Sequence, residues 1–249
     1  VKKIKKFIDH ILLLFNFEKS YFDKEQVSNE FVGHPLLEDT AEYKIDLSQI
    51  IGKKKAIISI FAGSRKSEIK VLLPILLEFV KLMNVKHKDF TYVFHSTKTF
   101  SDLTQSIIKS KNLNNCEVIS DDKIKSYILK KSVFAVAKSG TVSLEICNAV
   151  IPSIILYKMS IINYFIVKML VKTKYANIIN IAAKEEIIPE LLQFDCNAIN
   201  IFEKVTDFIE NPTKIKDQVD KTKIILKKLK TEKSSGELVA KSIIRILQN

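Results

Sequence analysis

Residues 56–83 read AIISIFAGSRKSEIKVLLPILLEFVKLM, and this stretch decides the fold class. The run 56–61 is uncharged and rich in isoleucine, which is typical of a strand buried on both faces. From Lys66 to Met83 the apolar residues return at spacings of three and four, as along one face of a helix. Those residues are Ile69, Leu72, Leu73, Leu76, Leu77 and Val80. The stretch therefore predicts a strand, a short loop and a long helix.

The same pattern of strand and helix repeats four more times toward the carboxyl terminus. The predicted strands are 90–96, 116–120, 133–139 and 152–157, and the helices after them are 100–109, 123–129, 141–149 and about 161–171. Buried strands that alternate with helices of this length predict a parallel sheet with right-handed crossovers. The predicted fold is a doubly wound α/β domain with helices at its carboxyl end.

The two ends of the chain differ from this core. Near the amino terminus a basic helix at 2–8, an apolar run at 10–15 and another short helix lead to FVGHP at 31–35. This part could be the tail of a preceding domain or a small βαβ unit of its own. Three helices are predicted near the carboxyl terminus, at 198–209, 213–229 and 236–247, with Pro212 in a first turn and Ser234 and Ser235 as capping candidates. The predicted domains are 1–40, 41–210 and 211–249, with the polar segment 38–48 as linker.

Composition limits the classes of function. The 249 residues carry 40 Lys+Arg against 28 Asp+Glu, a net charge of +12, yet only Arg65 and Arg245 are arginines. Base recognition favours arginine and aromatic residues on one face, and no such stripe occurs, so no nucleic-acid partner is predicted. Three cysteines without a CxxC pair predict neither a disulfide framework nor a cysteine zinc site. No Asp-x-Asp motif occurs, so we predict no metal and no cofactor. No uncharged apolar run reaches 18 residues, so no membrane span is predicted.

Two predicted strand-to-helix loops could carry chemistry, because ligands of open parallel sheets bind beyond the carboxyl ends of the strands. In the first, Gly63 permits a positive φ, Ser64 is a candidate helix cap, and Arg65 offers a two-pronged contact to phosphate. The second is KSGT at 138–141, whose backbone and hydroxyl groups could cradle a phosphate, with Glu145 one turn later as a ribose ligand. Neither loop matches the P-loop or the GxGxxG pattern, so an NTPase or a dinucleotide-dependent dehydrogenase is not supported.

Six motifs occur along the chain in the order found in one known protein family. They are FVGHPLLED (31–39), AGSRKSEI (62–69), KSGTVSLE (138–145), YKMSIINY (157–164), LVKTKY (170–175) and IIPELLQ (187–193). Together they resemble the carboxyl-terminal part of lipid-A-disaccharide synthase, a bacterial glycosyltransferase of the GT-B type. The resemblance implies transfer of a 2,3-diacylglucosaminyl group from its UDP derivative to 2,3-diacylglucosamine 1-phosphate, with release of UDP. It implies that this chain is the donor-nucleotide half. The acceptor half, with its general base, would precede Val1.

The resemblance also implies a set of UDP-binding residues. Gly63, Ser64 and Arg65 would face the diphosphate, Ser139, Gly140 and Thr141 would line the nucleotide pocket, Glu145 would hold the ribose, and Asn180 and Glu186 match a further asparagine and glutamate. The sequence departs from the family pattern at four positions. Ala62 and Ile179 replace prolines, and Lys184 and Glu185 stand where the family has a glycine and an arginine.

A basic segment between Glu145 and Glu185 contains no Asp or Glu but five lysines, at 158, 168, 172, 174 and 184. One interpretation is a core-facing helix with solvated lysines. The other is a face that docks on an anionic membrane surface through Lys168, Lys172 and Lys174, which suits a diacylated donor and a lipid acceptor. We predict the second, with a cytoplasmic protein peripheral to the inner membrane.

Three alternatives remain open from the sequence. The chain could be a truncated, non-catalytic protein that binds only nucleotide or a partner. It could also be another UDP-GlcNAc transferase or a 2-epimerase of the same fold, although the motifs at 31–39 and 187–193 argue against that. A homodimer through the C-terminal helices is a further open expectation.

Overall fold

The computed structural model describes residues 1–38, 56–160, 164 and 173–248. Over these residues the strands are β1 His10–Leu13, β2 Ser28–Phe31, β3 Ala56–Phe61, β4 Phe90–His95, β5 Cys116–Ile119, β6 Ser132–Lys138, β7 Ser153–Tyr157 and β8 Glu190–Leu192. The α-helices are α1 Lys19–Asp23, α2 Lys66–Lys86, α3 Ser101–Lys109, α4 Asp122–Lys131, α5 Val142–Asn148, α6 Ile178–Ala183, α7 Ala198–Glu210, α8 Pro212–Leu229 and α9 Ser235–Leu247. Short 3₁₀ turns cover Ile4–Lys6, Asn16–Glu18, Pro35–Leu37 and Lys98–Phe100.

Strands β3 to β8 form one parallel sheet in the order β5-β4-β3-β6-β7-β8. The chain lays down β3, β4 and β5 toward one edge and then returns to place β6 on the other side of β3. The carboxyl ends of β3 and β6 therefore meet at the point where the direction of strand addition reverses, which is where ligands of such sheets bind. This arrangement confirms the predicted doubly wound α/β class.

The strand and helix that decided the fold class also form the centre of the core. Ile58 and Ile60 of β3 are fully buried, and all six apolar residues predicted along the inner face of α2 are at most 2% exposed. Ile201 and Val205 of α7 belong to the same buried cluster, so α2 packs against both the sheet and α7. Each large aliphatic side chain buried in this way contributes on the order of 1.5 to 3 kcal/mol.

The other predicted elements of the sheet lie close to the observed ones. Each predicted strand from 56 to 157 matches an observed strand to within one residue at either end. The predicted helix at 161–171 lies outside the described residues, apart from Tyr164. Helix α6 and strand β8 were not predicted, because six and three residues are too few to show a period.

Contacts divide the chain into two units, which we describe separately. One comprises Glu42–Thr222 and contains the six-stranded sheet, and the other comprises Val1–Ala41 and Lys223–Asn249. In the second of these, β1 and β2 run parallel, with His10 beside Ser28, and α1 lies between them in the chain. This local arrangement is the small βαβ unit that was one of the two sequence interpretations.

The predicted basic helix at 2–8 is wrong, since only a 3₁₀ turn forms at Ile4–Lys6 and none of its residues is buried. Lysines at positions 2, 3, 5 and 6 repel one another at helical spacing, and no apolar face is covered to offset that repulsion. The predictions at the other end are confirmed. Helix α8 begins at Pro212, and the Ser234 hydroxyl accepts the Glu237 N–H at 3.2 Å as the cap of α9. The roles assigned to the three predicted domains stay predictions.

Candidate functional site

A cleft of about 510 Å³ lies at the carboxyl ends of β3 and β6, at the switch point of the sheet. Volumes of this size accommodate a small ligand. Six of the eight residues predicted to bind UDP line this cleft together, namely Gly63, Ser64, Ser139, Gly140, Thr141 and Glu145. They come from two regions more than 70 residues apart in the chain, the loop after β3 and the loop after β6 with the helix that follows it, and the return of β6 to the side of β3 brings these regions together.

The loop after β3 turns as its glycine predicted. Gly63 has a φ of +109°, a conformation that glycine adopts without steric cost. A Cβ atom at Gly63 would lie 2.6 Å from the Glu68 Oε2 atom and 2.7 Å from the Glu68 Cβ atom. The missing side chain therefore also makes room for the Glu68 carboxylate beneath the loop.

The start of α2 is capped by Glu68 and not by Ser64, so the predicted cap is wrong. Glu68 Oε2 accepts the backbone N–H groups of Ser64 at 3.0 Å and Arg65 at 3.3 Å. The chain turns sharply at Gly63 and directs these two N–H groups toward the third residue of the helix. A carboxylate in the first helical turn is also favoured by the helix dipole.

Glu68 joins the two predicted loops across the cleft. Its Oε1 atom lies 3.0 Å from the Lys138 Nζ atom, and both side chains are at most one fifth exposed. Lys138 also lies over the Tyr157 ring, 5.6 Å from its centroid. Burial opposes ionisation of Glu68, but the bonds from Lys138, Ser64 and Arg65 outweigh it, so the pKa of the carboxyl lies below its ordinary value. The carboxylate is therefore charged at neutral pH and holds Lys138 at the wall of the cleft.

The loop after β6 is held by its serines. The Ser139 hydroxyl donates to the Ala176 carbonyl at 3.0 Å, and the Ser143 hydroxyl donates to the Gly140 carbonyl at 2.7 Å. A Cβ atom at Gly140 would meet nothing within 4 Å. The turn is thus fixed from behind while its outer side faces open space.

Glu145 lines the cleft from α5 and forms an ion pair with a residue from α4. Its Oε2 atom lies 3.2 Å from the Lys125 Nζ atom, and Lys125 is also 3.4 Å from Asp122. The side chains of Lys125 and Glu145 are 23% and 26% exposed, so this pair is shielded from solvent more than a surface pair. Two ion pairs, Glu68–Lys138 and Glu145–Lys125, therefore flank the cleft.

Arg65 and Asn180, the two remaining predicted ligands, do not line the cleft. The Arg65 side chain is 79% exposed, with its guanidinium 3.6 Å from Glu68, so it lies at the rim. Asn180 is fully buried, and its amide oxygen accepts the N–H groups of Ile187 and Ile188, both at 2.9 Å. Its amide nitrogen donates to the Ile188 carbonyl and to Glu190, both at 2.7 Å. Both amide atoms are occupied, so Asn180 organises its own segment.

Residues that the sequence analysis missed line the cleft beyond β4 and β5. They are His95 at the end of β4, Ser96, Thr97 and Lys98 after it, Ser120 after β5, and Asp122 and Lys125 in the first turn of α4. Ligands can bind beyond the carboxyl end of any strand in a parallel sheet, so this rule alone does not say which loops share a site. That requires the order of the strands in the sheet. Because β4 lies beside β3 and β5 beside β4, their carboxyl ends extend the same cleft.

His95 ends β4 and begins a buried chain of hydrogen bonds. Its Nε2 atom is 2.9 Å from the Ser59 hydroxyl, which is 2.7 Å from the Ser132 hydroxyl, and Ser132 donates to the Ile128 carbonyl at 2.9 Å. Since the Ser132 proton goes to a carbonyl, Ser59 must donate to Ser132 and His95 Nε2 must donate to Ser59. Burial lowers the pKa of His95 to about 3, so its ring is neutral at pH 7. The Nδ1 atom is thereby an acceptor.

The remaining predicted residues lie elsewhere or outside the described part of the chain. Glu186 accepts the N–H of Glu190 at 3.1 Å and does not line the cleft. Of the predicted membrane contacts, Lys168 and Lys172 lie outside the described residues, and the Lys174 ammonium lies 5.2 Å from the centroid of the Tyr175 ring. Across the described ranges no cluster of potential metal ligands occurs, and no helix there has the length and hydropathy to cross a bilayer.

A doubly wound parallel sheet with a cleft at its switch point defines a Rossmann-like α/β domain, of the kind found in GT-B glycosyltransferases. S. aureus MnaA, solved with UDP, shares this fold with a TM-score of 0.67 and 13% identity over 96% of this chain and 61% of that one. A glycosyltransferase from Rickettsia africae ESF-5 has a TM-score of 0.58 and 13% identity over 100% of this chain and 67% of that one. At such identities the likeness concerns the fold.

The chain belongs to the lipid-A-disaccharide synthetase family, whose family model matches residues 1–244. The lipid-A-disaccharide synthase of Rickettsia prowazekii (strain Madrid E) is 33% identical over 246 residues, 96% of this chain and 64% of that protein. The enzyme of the same name from Sulfurihydrogenibium sp. (strain YO3AOP1) is 36% identical over 250 residues, 92% of this chain and 63% of that protein. The family prediction is confirmed, and the chain spans slightly less than two thirds of these relatives' length.

Proposed function

We propose that this chain is the donor-nucleotide half of a lipid A disaccharide synthase and that its cleft binds the UDP part of UDP-2,3-diacylglucosamine. The observation that carries the proposal is the meeting of six predicted UDP ligands in one cleft at the switch point of the sheet. Membership of the lipid-A-disaccharide synthetase family supports the choice of donor.

The polar groups of the cleft match the parts of a nucleoside diphosphate. In the proposed complex Glu145 accepts bonds from the ribose hydroxyls, and the loop at Ser139, Gly140 and Thr141 contacts the phosphates. Arg65, exposed at the rim, contacts the diphosphate with a charge-assisted hydrogen bond. We assign Asn180 a supporting role, because it binds Glu190. Glu190 accepts the N–H of Ala176, and the Ala176 carbonyl accepts the Ser139 hydroxyl.

The proposed reaction is an inverting transfer without a metal ion. The acceptor hydroxyl of the lipid attacks the anomeric carbon, the bond from that carbon to the UDP oxygen breaks, and a base in the acceptor half takes the hydroxyl proton. This chain contributes by stabilising the negative charge that develops on the leaving UDP.

We further propose that the protein associates peripherally with an anionic membrane surface. The acid-free segment 146–184, with its five lysines, supports this proposal, as do donor and acceptor molecules that carry acyl chains. The homodimer through the C-terminal helices remains a prediction.

Calorimetry with UDP tests the donor site. Gly140→Leu should lower UDP affinity at least tenfold, because a Cβ at Gly140 meets nothing within 4 Å and the larger side chain takes up space in the cleft that the nucleotide needs. Gly236→Leu is the matched control, since a Cβ there also meets nothing within 4 Å and Gly236 is not among the residues that line the cleft. Arg65→Ala should cost roughly 1.5 to 3 kcal/mol of binding free energy, and the adjacent exposed Lys66→Ala much less. Equal UDP affinity for the wild type and Gly140→Leu would show that UDP does not bind in this cleft.

A further inference from the structure

Lys125 occupies a particular place in the cleft wall. It extends from α4 toward α5 and places its ammonium 3.2 Å from Glu145 Oε2, while its second contact, Asp122, is 91% exposed. Both partners of the Lys125–Glu145 pair are about three quarters buried. Ion pairs shielded in this way interact more strongly than surface pairs, whose attraction water and salt reduce.

The pair fixes a carboxylate that would otherwise rotate. A free glutamate side chain has three rotatable bonds, and holding it costs conformational entropy that a ligand would have to supply. Lys125 binds one carboxylate oxygen, Oε2, and the other oxygen, Oε1, has no hydrogen-bond or ion-pair partner among the described residues. Glu145 is therefore oriented before a ligand arrives, with one oxygen available to accept a hydroxyl.

From this geometry we infer that Lys125 is a positioning residue for ribose recognition: it holds Glu145 so that the carboxylate can accept the ribose hydroxyls. The inference rests on the proposed function of the cleft. On this inference, a contact between α4 and α5 gives the cleft its preference for a ribonucleotide over a nucleotide that lacks the ribose hydroxyls. Lys125 itself does not contact the nucleotide in this arrangement.

Two other roles for Lys125 would give different results. If its ammonium bound a phosphate directly, its removal would weaken every uridine diphosphate equally. If it served only to join α4 to α5, its removal would lower stability and again affect all nucleotides alike. A positioning role alone makes the effect of the mutation depend on the ribose hydroxyls.

The experiment therefore compares UDP with 2′,3′-dideoxyuridine diphosphate by calorimetry. Lys125→Met should weaken UDP binding roughly 5- to 20-fold and leave binding of the dideoxy compound within about twofold. Lys125→Arg should restore most of the UDP affinity, because it again offers a cation to Glu145. In the background of Glu145→Gln, Lys125→Met should have no further effect on UDP binding. Lys131→Met, on the same helix but away from the cleft, is the control for the loss of one charge.

The possible failures can be told apart. Equal weakening of both nucleotides by Lys125→Met, or a full effect that persists in Glu145→Gln, would overturn the inference and leave the donor site intact. If the wild type binds UDP no better than Gly140→Leu does, the proposed function and this inference are both overturned.

Discussion

At the scale of single residues, Glu68 shows how one side chain can organise a cleft to which the sequence analysis did not assign it. It accepts two backbone N–H groups, at Ser64 and Arg65, and pairs with Lys138 on the opposite loop. Its place depends on the missing side chain of Gly63, whose Cβ would overlap it. We therefore expect substitution of Gly63 to disturb the cleft through Glu68 as well as through backbone strain.

The lowered pKa of Glu68 makes a prediction about stability and pH. A carboxyl whose pKa is lower in the folded than in the unfolded chain stabilises the fold above its unfolded pKa, near 4.5. That contribution is lost as the pH falls through the lower folded value. Glu68→Gln should therefore lower the unfolding free energy at pH 7 by about 1 to 3 kcal/mol. The unfolding free energy of the variant should also decrease less between pH 7 and pH 3 than that of the wild type. Urea titrations from pH 7 to pH 3 measure both effects.

The control for this prediction is Glu78→Gln on the same helix. Glu78 pairs with Lys81 at 3.0 Å, but both side chains are about half exposed, so its removal should cost well under 1 kcal/mol. If Glu68→Gln behaved like Glu78→Gln, the bonds of Glu68 would not stabilise the two loops.

At the scale of elements, the end of α6 explains one departure from the family pattern. Lys184 follows the last residue of α6 with φ 58° and ψ 24°, the left-handed conformation that commonly ends a helix. The resemblance places a glycine at this position, and glycine is the residue that adopts this conformation without a Cβ clash. The helix thus ends in the left-handed conformation at a residue less suited to it than glycine.

Replacement of Lys184 by glycine should therefore stabilise the protein. Glycine removes the strain of the left-handed conformation, but it also has a larger backbone entropy in the unfolded chain. The net gain in unfolding free energy should be about 0.5 to 1 kcal/mol. Lys184 is exposed, so little packing is lost. Lys184→Ala is the matched control, because it removes the same charge but keeps the Cβ. Thermal unfolding should rank Lys184→Gly above Lys184→Ala, and equal midpoints would contradict the account.

At the scale of the whole molecule, the division of labour can be tested by turnover. We expect the purified chain to form no disaccharide from the UDP donor and the monosaccharide 1-phosphate, because the proposed function places the general base in the acceptor half. Addition of the amino-terminal part of a relative should restore some activity, and Gly140→Leu should abolish it again. Disaccharide formed by the 249-residue chain alone would contradict this division.

The proposed membrane association is a second prediction at the scale of the whole molecule. If Lys168, Lys172 and Lys174 contact an anionic surface, their replacement by Gln should weaken vesicle binding by roughly 3 kcal/mol, at about 1 kcal/mol per lysine. Salt should have the same effect, since it screens exposed charges. Cosedimentation with phosphatidylglycerol vesicles measures the loss, and circular dichroism checks that the fold is intact. Unchanged binding of the triple variant would identify these lysines as an ordinary solvated face.

The sequence by itself determined the fold class, because a buried strand and an amphipathic helix differ in period and that period repeats along residues 56–157. It also determined the two loops at 62–65 and 138–141, since ligands of an open parallel sheet bind beyond the carboxyl ends of its strands, and these loops offer glycine, hydroxyl and cationic groups there. Only the tertiary structure decided which loops share the cleft, because the position of β6 beside β3 is a matter of strand order and not of local pattern. For the same reason it alone revealed the pairs Glu68–Lys138 and Lys125–Glu145, whose members lie in different segments of the chain, and the burial of Asn180. A side chain's role here depends on what folding brings next to it, and no window of sequence contains that information.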